Sequence, residues 1–259
     1  MIKEELLQLL RYKDLLKNLV FRDLTVRYKR SVLGFCWTMV NPLINTVVFA
    51  LIFTTIFRFA IKDFVIYFLS GYQLWILFSQ STILSSRCIL NNGPLLKKVY
   101  LPKTIFVISI LLSELVNFGF AMLPLFFLMI IIGKGLSLAL FFLPVSLIIV
   151  IIFTLGISFT LAAVTVFFTD IMDIYQLLLL PWMYLTPIVY PLEILPPKAL
   201  YIIKFNPMYH IVECFRAPIF LGQLPDLLSV VCAGLSALVV FIVGIAIFAK
   251  LSDDFIYYI

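Results

Sequence analysis

Six long apolar segments dominate the chain and constrain what it can fold into. They lie at about 34 to 59, 64 to 88, 104 to 132, 137 to 169, 174 to 190 and 227 to 249. A helix that crosses a bilayer needs about 20 mostly apolar residues. Only 12% of the 259 residues are charged, against about 25% in a soluble domain. We predict an all-α polytopic membrane protein, with six transmembrane helices in one domain over residues 1–259 and no soluble catalytic domain.

Basic residues predict how these helices are oriented. Eight Lys and Arg precede residue 31, four lie between residues 87 and 103, and Lys250 follows the last segment, so 13 of the 19 fall on one side. Because cytoplasmic loops carry an excess of Lys and Arg, we expect both termini in the cytoplasm. The net charge of +6 then reflects topology and anionic headgroups, and we expect membrane lipid, not nucleic acid, as a partner.

Residues 1–30 form a basic, amphipathic segment. Its apolar side chains recur near helical spacing, with an interruption at Lys13, at Ile2, Leu6, Leu9, Leu16 and Val20. This pattern predicts a helix that lies in the headgroup plane at the membrane interface. A solvated cytoplasmic tail is the alternative.

The segment 91–103, NNGPLLKKVYLPK, is the most distinctive loop on the predicted cytoplasmic side. Asn92 or Gly93 can cap a helix whose first turn contains Pro94, and Pro102 ends it. We predict a short helix over LLKKVY whose apolar side chains form a docking surface. A tight hairpin between two spans is the alternative.

The segment 187–226 is too broken to span a membrane and too apolar for a free loop. Pro196 and Pro197 open one short helical stretch, and Asn206 followed by Pro207 is typical of a cap and a first helical residue. Irregular backbone at membrane depth occurs where it is buried in protein or lines a wet cavity. We therefore predict two short re-entrant helices at the outer face, before the last span.

Few residues are suited to catalysis. His210 and Glu213 are spaced for one helical face, but two ligands do not make a metal site, and we interpret both as structural. No G-x-x-x-x-G-K-[ST] sequence is present to bind ATP phosphates. Asp170 and Asp173 are the nearest approach to an acid cluster, and capping of the fifth helix explains them. We predict no catalytic residue, metal or cofactor in this chain.

Polar side chains follow one face of each of the first two apolar segments. They recur at steps of four, three and four in the first segment and of seven in the second. The positions are Gly34, Thr38, Asn41 and Asn45, and then Gln73, Gln80 and Arg87. A polar lumen needs such stripes, but hydrogen bonding between packed helices also explains them, and both interpretations stay open.

Glu114 is the only acid deep in an apolar segment, beside Ser113 and Asn117. A carboxylate in hydrocarbon needs a partner or an aqueous face. Because no intramembrane basic partner is evident, we expect a hydrogen-bonded structural glutamate and not a proton relay.

Aromatic side chains cluster near the fifth segment, among them Trp182, Tyr184 and Tyr190. Tyr and Trp at the headgroup level are usually anchors. Rings that carry a hydroxyl or indole group also suit sugars, which are apolar on their C–H faces and polar around the edge. On that interpretation the three residues line a path for sugars.

Three stretches together resemble one known family. They are RDLTVRYKRSVLGFCWTMVNPL (22–43), NNGPLLKKVYLPK (91–103) and TPIVYPLEILPPKALYIIKFNPMYHIVECFRAPIF (186–220). In this order they resemble the membrane permease subunit of ABC exporters for O-antigen polysaccharide and teichoic acid, over nearly the whole chain. The resemblance implies a homodimer in the bacterial inner membrane that exports a polyprenyl-diphosphate-linked glycan. It also implies two separate subunits that bind ATP and Mg²⁺.

The resemblance also assigns roles by position. The basic residues near the lipid pyrophosphate are Arg22, Arg27, Lys29 and Arg30. The contact with the ATP-binding subunit is Asn92, Gly93, Pro94, Leu95, Leu96, Lys97, Lys98, Val99 and Tyr100. The outer gate contains Pro197, Asn206, Pro207, His210, Glu213 and Arg216. With the polar stripes added, the substrate path is Trp37, Thr38, Asn41, Asn45, Gln73, Gln80, Trp182, Tyr184 and Tyr190.

Two other functions stay open. A related exporter of teichoic acid, a lipid or a drug would use a similar membrane architecture. A membrane-embedded transferase acting on polyprenyl phosphates would instead need clustered acids or histidines at one membrane face, for which Asp170 and Asp173 are the candidates.

Overall fold

Every regular element of the computed structural model, which describes residues 12–29, 34, 36–52, 63–135 and 137–259, is helical. The helices are α1 (Lys13–Tyr28), α2 (Cys36–Leu51), α3 (Phe64–Ser86), α4 (Cys88–Asn91), α5 (Gly93–Leu96), α6 (Thr104–Ile131), α7 (Leu143–Phe167), α8 (Asp170–Leu185), α9 (Pro197–Phe205), α10 (Pro207–Arg216), α11 (Leu227–Leu251) and α12 (Phe255–Tyr258). A 3₁₀ turn, Leu138–Phe142, leads into α7, and a π-helical turn, Ala217–Leu221, follows α10. The all-α class is confirmed.

The six predicted apolar segments correspond to α2, α3, α6, α7, α8 and α11. Three helical stretches of the described chain are long and apolar enough to cross a membrane, namely Thr104–Ile131, Leu138–Phe167 and Leu227–Tyr258. The chain is therefore an all-helical protein with helices that can span a membrane, and the count of six stays a prediction. Residues 1–11, Arg30 and the end of the first segment lie outside the described ranges.

Two short helices occupy the segment before the last span, where the sequence predicts them. Pro197 is the first residue of α9, and Pro207 is the first residue of α10. The side chain of Asn206 accepts a hydrogen bond from the backbone N–H of Met208 at 3.0 Å, so the predicted cap is confirmed.

Loops and helix ends gather at two opposite ends of the bundle. At the near end, formed by residues 88–103 and 252–259, Lys103 donates a hydrogen bond to the backbone carbonyl of Ser252. This contact ties the loop between α3 and α6 to the segment that follows α11.

The far end is formed by residues 133–135 and 187–226 together with Asp63. The Lys134 ammonium lies 3.4 Å from the Asp63 carboxylate and donates to the carbonyl of Phe220 at 2.8 Å. The long helices run alternately between the two ends.

Helices α7 and α11 pack with their backbones in contact. A Cβ atom added to Gly244 would lie 2.0 Å from the carbonyl oxygen of Gly156, and one added to Gly156 would lie 2.5 Å from the backbone of Val240. Small residues allow membrane helices to approach this closely. Gly234, also on α11, has open space where its side chain would be.

Replacing Gly244 with Ala is expected to lower the free energy of unfolding by about 1–3 kcal/mol, because the added methyl group meets backbone that cannot move aside. Gly234→Ala is the control on the same helix, where a methyl group fills open space and the glycine penalty of about 0.5–1 kcal/mol is removed. Thermal unfolding of the two variants in detergent measures the difference. Equal melting temperatures would contradict the close approach.

Candidate functional site

A cavity of about 430 Å³, with polar side chains in its lining, lies between α2, α3 and α6. Its lining includes Trp37, Thr38, Asn41 and Asn45 from α2, Tyr72, Gln73 and Gln80 from α3, and Glu114 and Asn117 from α6. The polar stripes of the first two apolar segments thus face a common space, which we call the inner cavity. Arg87, the last position of the second stripe, is exposed and does not line it.

Some lining side chains also bond one helix to the next. Asn45 Nδ2 donates to the Asn41 carbonyl at 3.1 Å and to the Tyr72 hydroxyl at 3.3 Å, which links α2 to α3. Gln73 Nε2 donates to the Ala121 carbonyl at 3.2 Å, which links α3 to α6. The same stripes therefore face a cavity and join packed helices.

Glu114 forms an ion pair with Arg27 of α1. Its side chain is only 4% exposed, accepts a hydrogen bond from the Arg27 guanidinium, and contacts the Asn117 amide at 3.4 Å. The expectation that Glu114 lacks a basic partner in the membrane domain is wrong, because α1 packs along α6 and brings Arg27 to the carboxylate.

A second cavity, of about 530 Å³, lies on the near-end side of this ion pair. We call it the near-end cavity. Arg22 lines it and donates to the side-chain oxygen of Asn92 at 3.1 Å, which joins α1 to the loop before α5. Of the residues assigned to the lipid pyrophosphate, Arg22 and Arg27 line this cavity, Lys29 is exposed and lines neither cavity, and Arg30 lies outside the described residues.

The helix in the loop between α3 and α6 is shorter than predicted. It ends at Leu96, and Lys97 and Lys98 form a turn, so the prediction of a helix over LLKKVY is wrong beyond Leu96. Leu96 is buried in the apolar cluster beneath the loop, and the chain turns there. Pro94 occupies the first turn as predicted, whereas the Asn92 amide makes no cap bond to α5.

Burial divides the predicted docking residues into three groups. Gly93 and Leu96 are buried, and a Cβ atom on Gly93 would lie 2.1 Å from Ile259. Leu96 is therefore not part of an exposed docking surface. Val99 and Tyr100 are 50% and 85% exposed. Of the others, Asn92 and Leu95 are half-buried, and Pro94, Lys97 and Lys98 are exposed.

The aromatic residues assigned to the substrate path lie away from both cavities. Trp182 packs its ring against Trp75 and Phe78 in the core, and its indole N–H donates to Asn206 at 3.0 Å. Tyr184 is exposed on α8, and the hydroxyl of Tyr190 donates to the Tyr184 carbonyl. None of these three lines either described cavity, and α8, which carries Trp182 and Tyr184, packs beside α3 and α7.

The buried Arg216 side chain connects several segments at the far end. Its guanidinium is buried, donates to the carbonyl of Pro187 at 2.8 Å, and lies 3.9 Å from the centre of the Tyr67 ring. Gly71 of α3 makes room for it, since a Cβ atom there would lie 2.4 Å from Arg216 Nη2. Arg216 therefore joins α10 to α3 and to the chain after α8.

His210 is also held by protein groups at the far end. Its Nε2 lies 2.9 Å from the Lys204 carbonyl, and its Nδ1 lies 3.4 Å from the Ser229 hydroxyl. Glu213 is half-buried on the same helix. Among the residues that the structure describes, no three His, Cys, Asp or Glu side chains come together as metal ligands.

Two features of the site were not anticipated. Tyr72 lines the inner cavity, although it does not share the seven-residue spacing of Gln73, Gln80 and Arg87. The residues 252–259 pack against the loop between α3 and α6, and the only sequence signal was the aromatic run FIYYI.

The two partners of the ion pair are expected to differ in importance for stability. Arg27→Gln leaves a buried carboxylate without its cation and is expected to cost about 3–5 kcal/mol. Glu114→Gln should cost less, because the Arg27 side chain is 35% exposed and can be solvated. Thermal unfolding of both variants and of the double variant tests this order. A larger loss for Glu114→Gln than for Arg27→Gln would contradict it.

Comparison with known proteins identifies the family. Residues 14–220 match the ABC-2 type transporter family. The chain is 30% identical over 250 residues to the O-antigen export system permease protein RfbA of Myxococcus xanthus, covering 96% of each chain. It is 29% identical over 243 residues to RfbA of Klebsiella pneumoniae, covering 93% of each. It is 25% identical over 249 residues to the capsule polysaccharide export inner-membrane protein CtrC of Neisseria meningitidis serogroup A, covering 94% of this chain and 93% of CtrC. The chain therefore belongs to the membrane proteins of the ABC-2 type transporter family.

Proposed function

We propose that this chain is the membrane permease subunit of an ATP-driven exporter that moves a polysaccharide carried on a polyprenyl diphosphate across the inner membrane. The observation that carries the proposal is the pair of cavities with polar side chains in their linings, within a bundle of apolar helices, and with two Arg–carboxylate pairs at the near-end cavity. The relatives named as permeases for O-antigen and capsule polysaccharide support the same conclusion.

The lining chemistry suits such a substrate. Arg22 and Arg27 in the near-end cavity are paired with Asp23 and Glu114, and their guanidinium groups can bind phosphate through paired N–H donors when these carboxylates are displaced. Amide and hydroxyl groups line the inner cavity, and they can exchange hydrogen bonds with sugar hydroxyls without holding one sugar tightly. The charged headgroup thus meets guanidinium groups in the near-end cavity, and the neutral glycan meets amide and hydroxyl groups in the inner cavity.

The active assembly is a homodimer of six-span subunits with two ATP-binding subunits on the cytoplasmic side. The inner cavity lies at α2, on which Ile44, Val47 and Val48 are exposed. A second copy related by two-fold symmetry would enclose a path that one small bundle leaves open. Both termini lie in the cytoplasm, as the basic residues favour, and α9 and α10 form re-entrant helices at the outer gate.

ATP and Mg²⁺ bind in the partner subunit, and the near end transmits its closure to the bundle. Val99 and Tyr100 project there, and Gly93 packs on the C-terminal Ile259. Movement of this loop therefore displaces α3, α6 and residues 252–259 together. Such a displacement shifts the equilibrium between two conformations of the membrane domain.

The alternatives have less support. Teichoic acid on the same lipid would use the same cavities, and a lipid or drug exporter would not need the long polar lining. For a polyprenyl-phosphate transferase, Asp170 and Asp173 are the candidates, but both lie in the first turn of α8, where acids stabilise the helix dipole.

Co-purification with an ATP-binding subunit tests the proposed function. We expect a complex of two copies of each chain, whose ATP hydrolysis rises on addition of a polyprenyl-diphosphate-linked polysaccharide. A chain that binds no ATPase subunit, or a complex indifferent to the glycolipid, would contradict the proposal.

Asn41→Leu is expected to reduce export at least about ten-fold, because a bulky apolar side chain replaces an exposed amide in the inner cavity and leaves polar substrate groups unpaired. Asn41→Ser, which keeps a small hydrogen-bonding side chain at the same position, is the control and should retain export. Polysaccharide at the cell surface measures the difference, with membrane abundance of each variant checked by immunoblot. Full export by the Asn41→Leu variant would show that the polar stripe of α2 packs against neighbouring helices and does not line the substrate path.

Tyr100→Asp is expected to abolish glycolipid-stimulated ATP hydrolysis and to reduce co-purification of the ATP-binding subunit. Tyr100 is 85% exposed, so the change removes a docking side chain without disturbing the core. Tyr201→Asp at the far end, 71% exposed, is the control with the same chemical change. Identical behaviour of the two variants would contradict docking at the near end.

A further inference from the structure

The Arg27–Glu114 ion pair lies where the two cavities meet. Of the described residues, Arg27 and Glu114 are the two that line both the inner and the near-end cavity. Arg22 and Asn92 lie on one side of the pair, and Asn41 lies on the other. A headgroup that passes from one cavity to the other must therefore pass this pair.

The two partners are held differently. Glu114 sits within α6, is 4% exposed, and contacts Asn117 one turn away. Arg27 is near the end of α1, a separate helix that packs on α6, and its side chain is 35% exposed. Arg27 is thus the partner that an incoming ligand can reach.

A guanidinium binds carboxylate and phosphate with the same fork of N–H donors. An anion in the near-end cavity therefore competes with Glu114 for Arg27. A diphosphate carries more negative charge than one carboxylate, so it is the stronger competitor at equal geometry.

Resting on the proposed function, we propose that the Arg27–Glu114 ion pair is a gate between the two cavities, opened when the diphosphate of the lipid-linked substrate displaces Glu114 from Arg27. Glu114 is then an internal competitor that holds Arg27 until the substrate headgroup arrives. After displacement, the carboxylate keeps the Asn117 amide and gains the water of the opened cavity, which a charge at membrane depth requires.

Binding to the full chain in phosphatidylcholine nanodiscs tests the gate without the ATP-binding partner. The probes are a polyprenyl diphosphate and the uncharged polyprenol. Glu114→Gln should lower the dissociation constant for the diphosphate by about five-fold or more, because the diphosphate no longer competes with the Glu114 carboxylate for Arg27. Arg27→Gln should raise it by about ten-fold, and binding of the polyprenol should not change.

Asp253→Asn is the matched control, since it removes the same charge from an exposed acid outside both cavities. It should leave the dissociation constant unchanged. If Glu114→Gln binds the diphosphate no more tightly than the native chain or Asp253→Asn, the ion pair is structural and the proposal of a gate is wrong. Should Arg27→Gln fail to fold, Arg27→Lys keeps the charge without the fork of donors and is expected to weaken binding in the same direction.

Phosphatidylglycerol distinguishes the two sources of phosphate. If excess phosphatidylglycerol leaves diphosphate binding intact, the ligand at Arg27 is the lipid-linked substrate, as proposed. If it competes equally, bulk phospholipid occupies Arg27 and the substrate-opened gate is overturned. Both results are independent of whether an ATP-binding subunit co-purifies, so failure of the gate and failure of the exporter assignment are separable.

Discussion

A carboxylate buried among apolar helices must have a cation or water beside it, and Glu114 has Arg27. The packing of α1 on α6 meets this requirement, although Arg27 and Glu114 are 87 residues apart in the chain. With α1 in place, Arg22 reaches Asn92, and the near-end cavity is lined by two arginines paired with Asp23 and Glu114. The ion pair also divides the polar interior in two, so that stability and the proposed route of the substrate depend on the same contact.

The bundle combines a tightly packed side with a polar one. Gly156 and Gly244 bring α7 and α11 into backbone contact, which resists change because backbone cannot rotate away as a side chain can. On the other side, α2, α3 and α6 are joined through hydrogen bonds of Asn45 and Gln73 around the inner cavity. Such bonds can be exchanged for bonds to a ligand, so we expect conformational change on this side.

The length of the apolar runs was enough to find the long helices, and helical spacing was enough to find the polar stripes, because each depends on a single helix. The cap at Asn206 was equally local, since it involves the N–H only two residues further on. The partner of Glu114, the burial of Leu96 and the core position of Trp182 depend on contacts between distant segments. Nothing in the residues around Glu114 indicates that a helix near the N-terminus supplies its cation.

The most direct test of the account is photo-cross-linking of the substrate to the assembled exporter. A benzophenone amino acid is introduced at Gln80, in the inner cavity, or at Ile242, which is 62% exposed on α11. The complex is then irradiated with a polyprenyl-diphosphate-linked glycan during ATP hydrolysis. We expect glycan attached at position 80 and none at position 242. Labelling at position 242 alone, or equally at both, would contradict a path through the inner cavity.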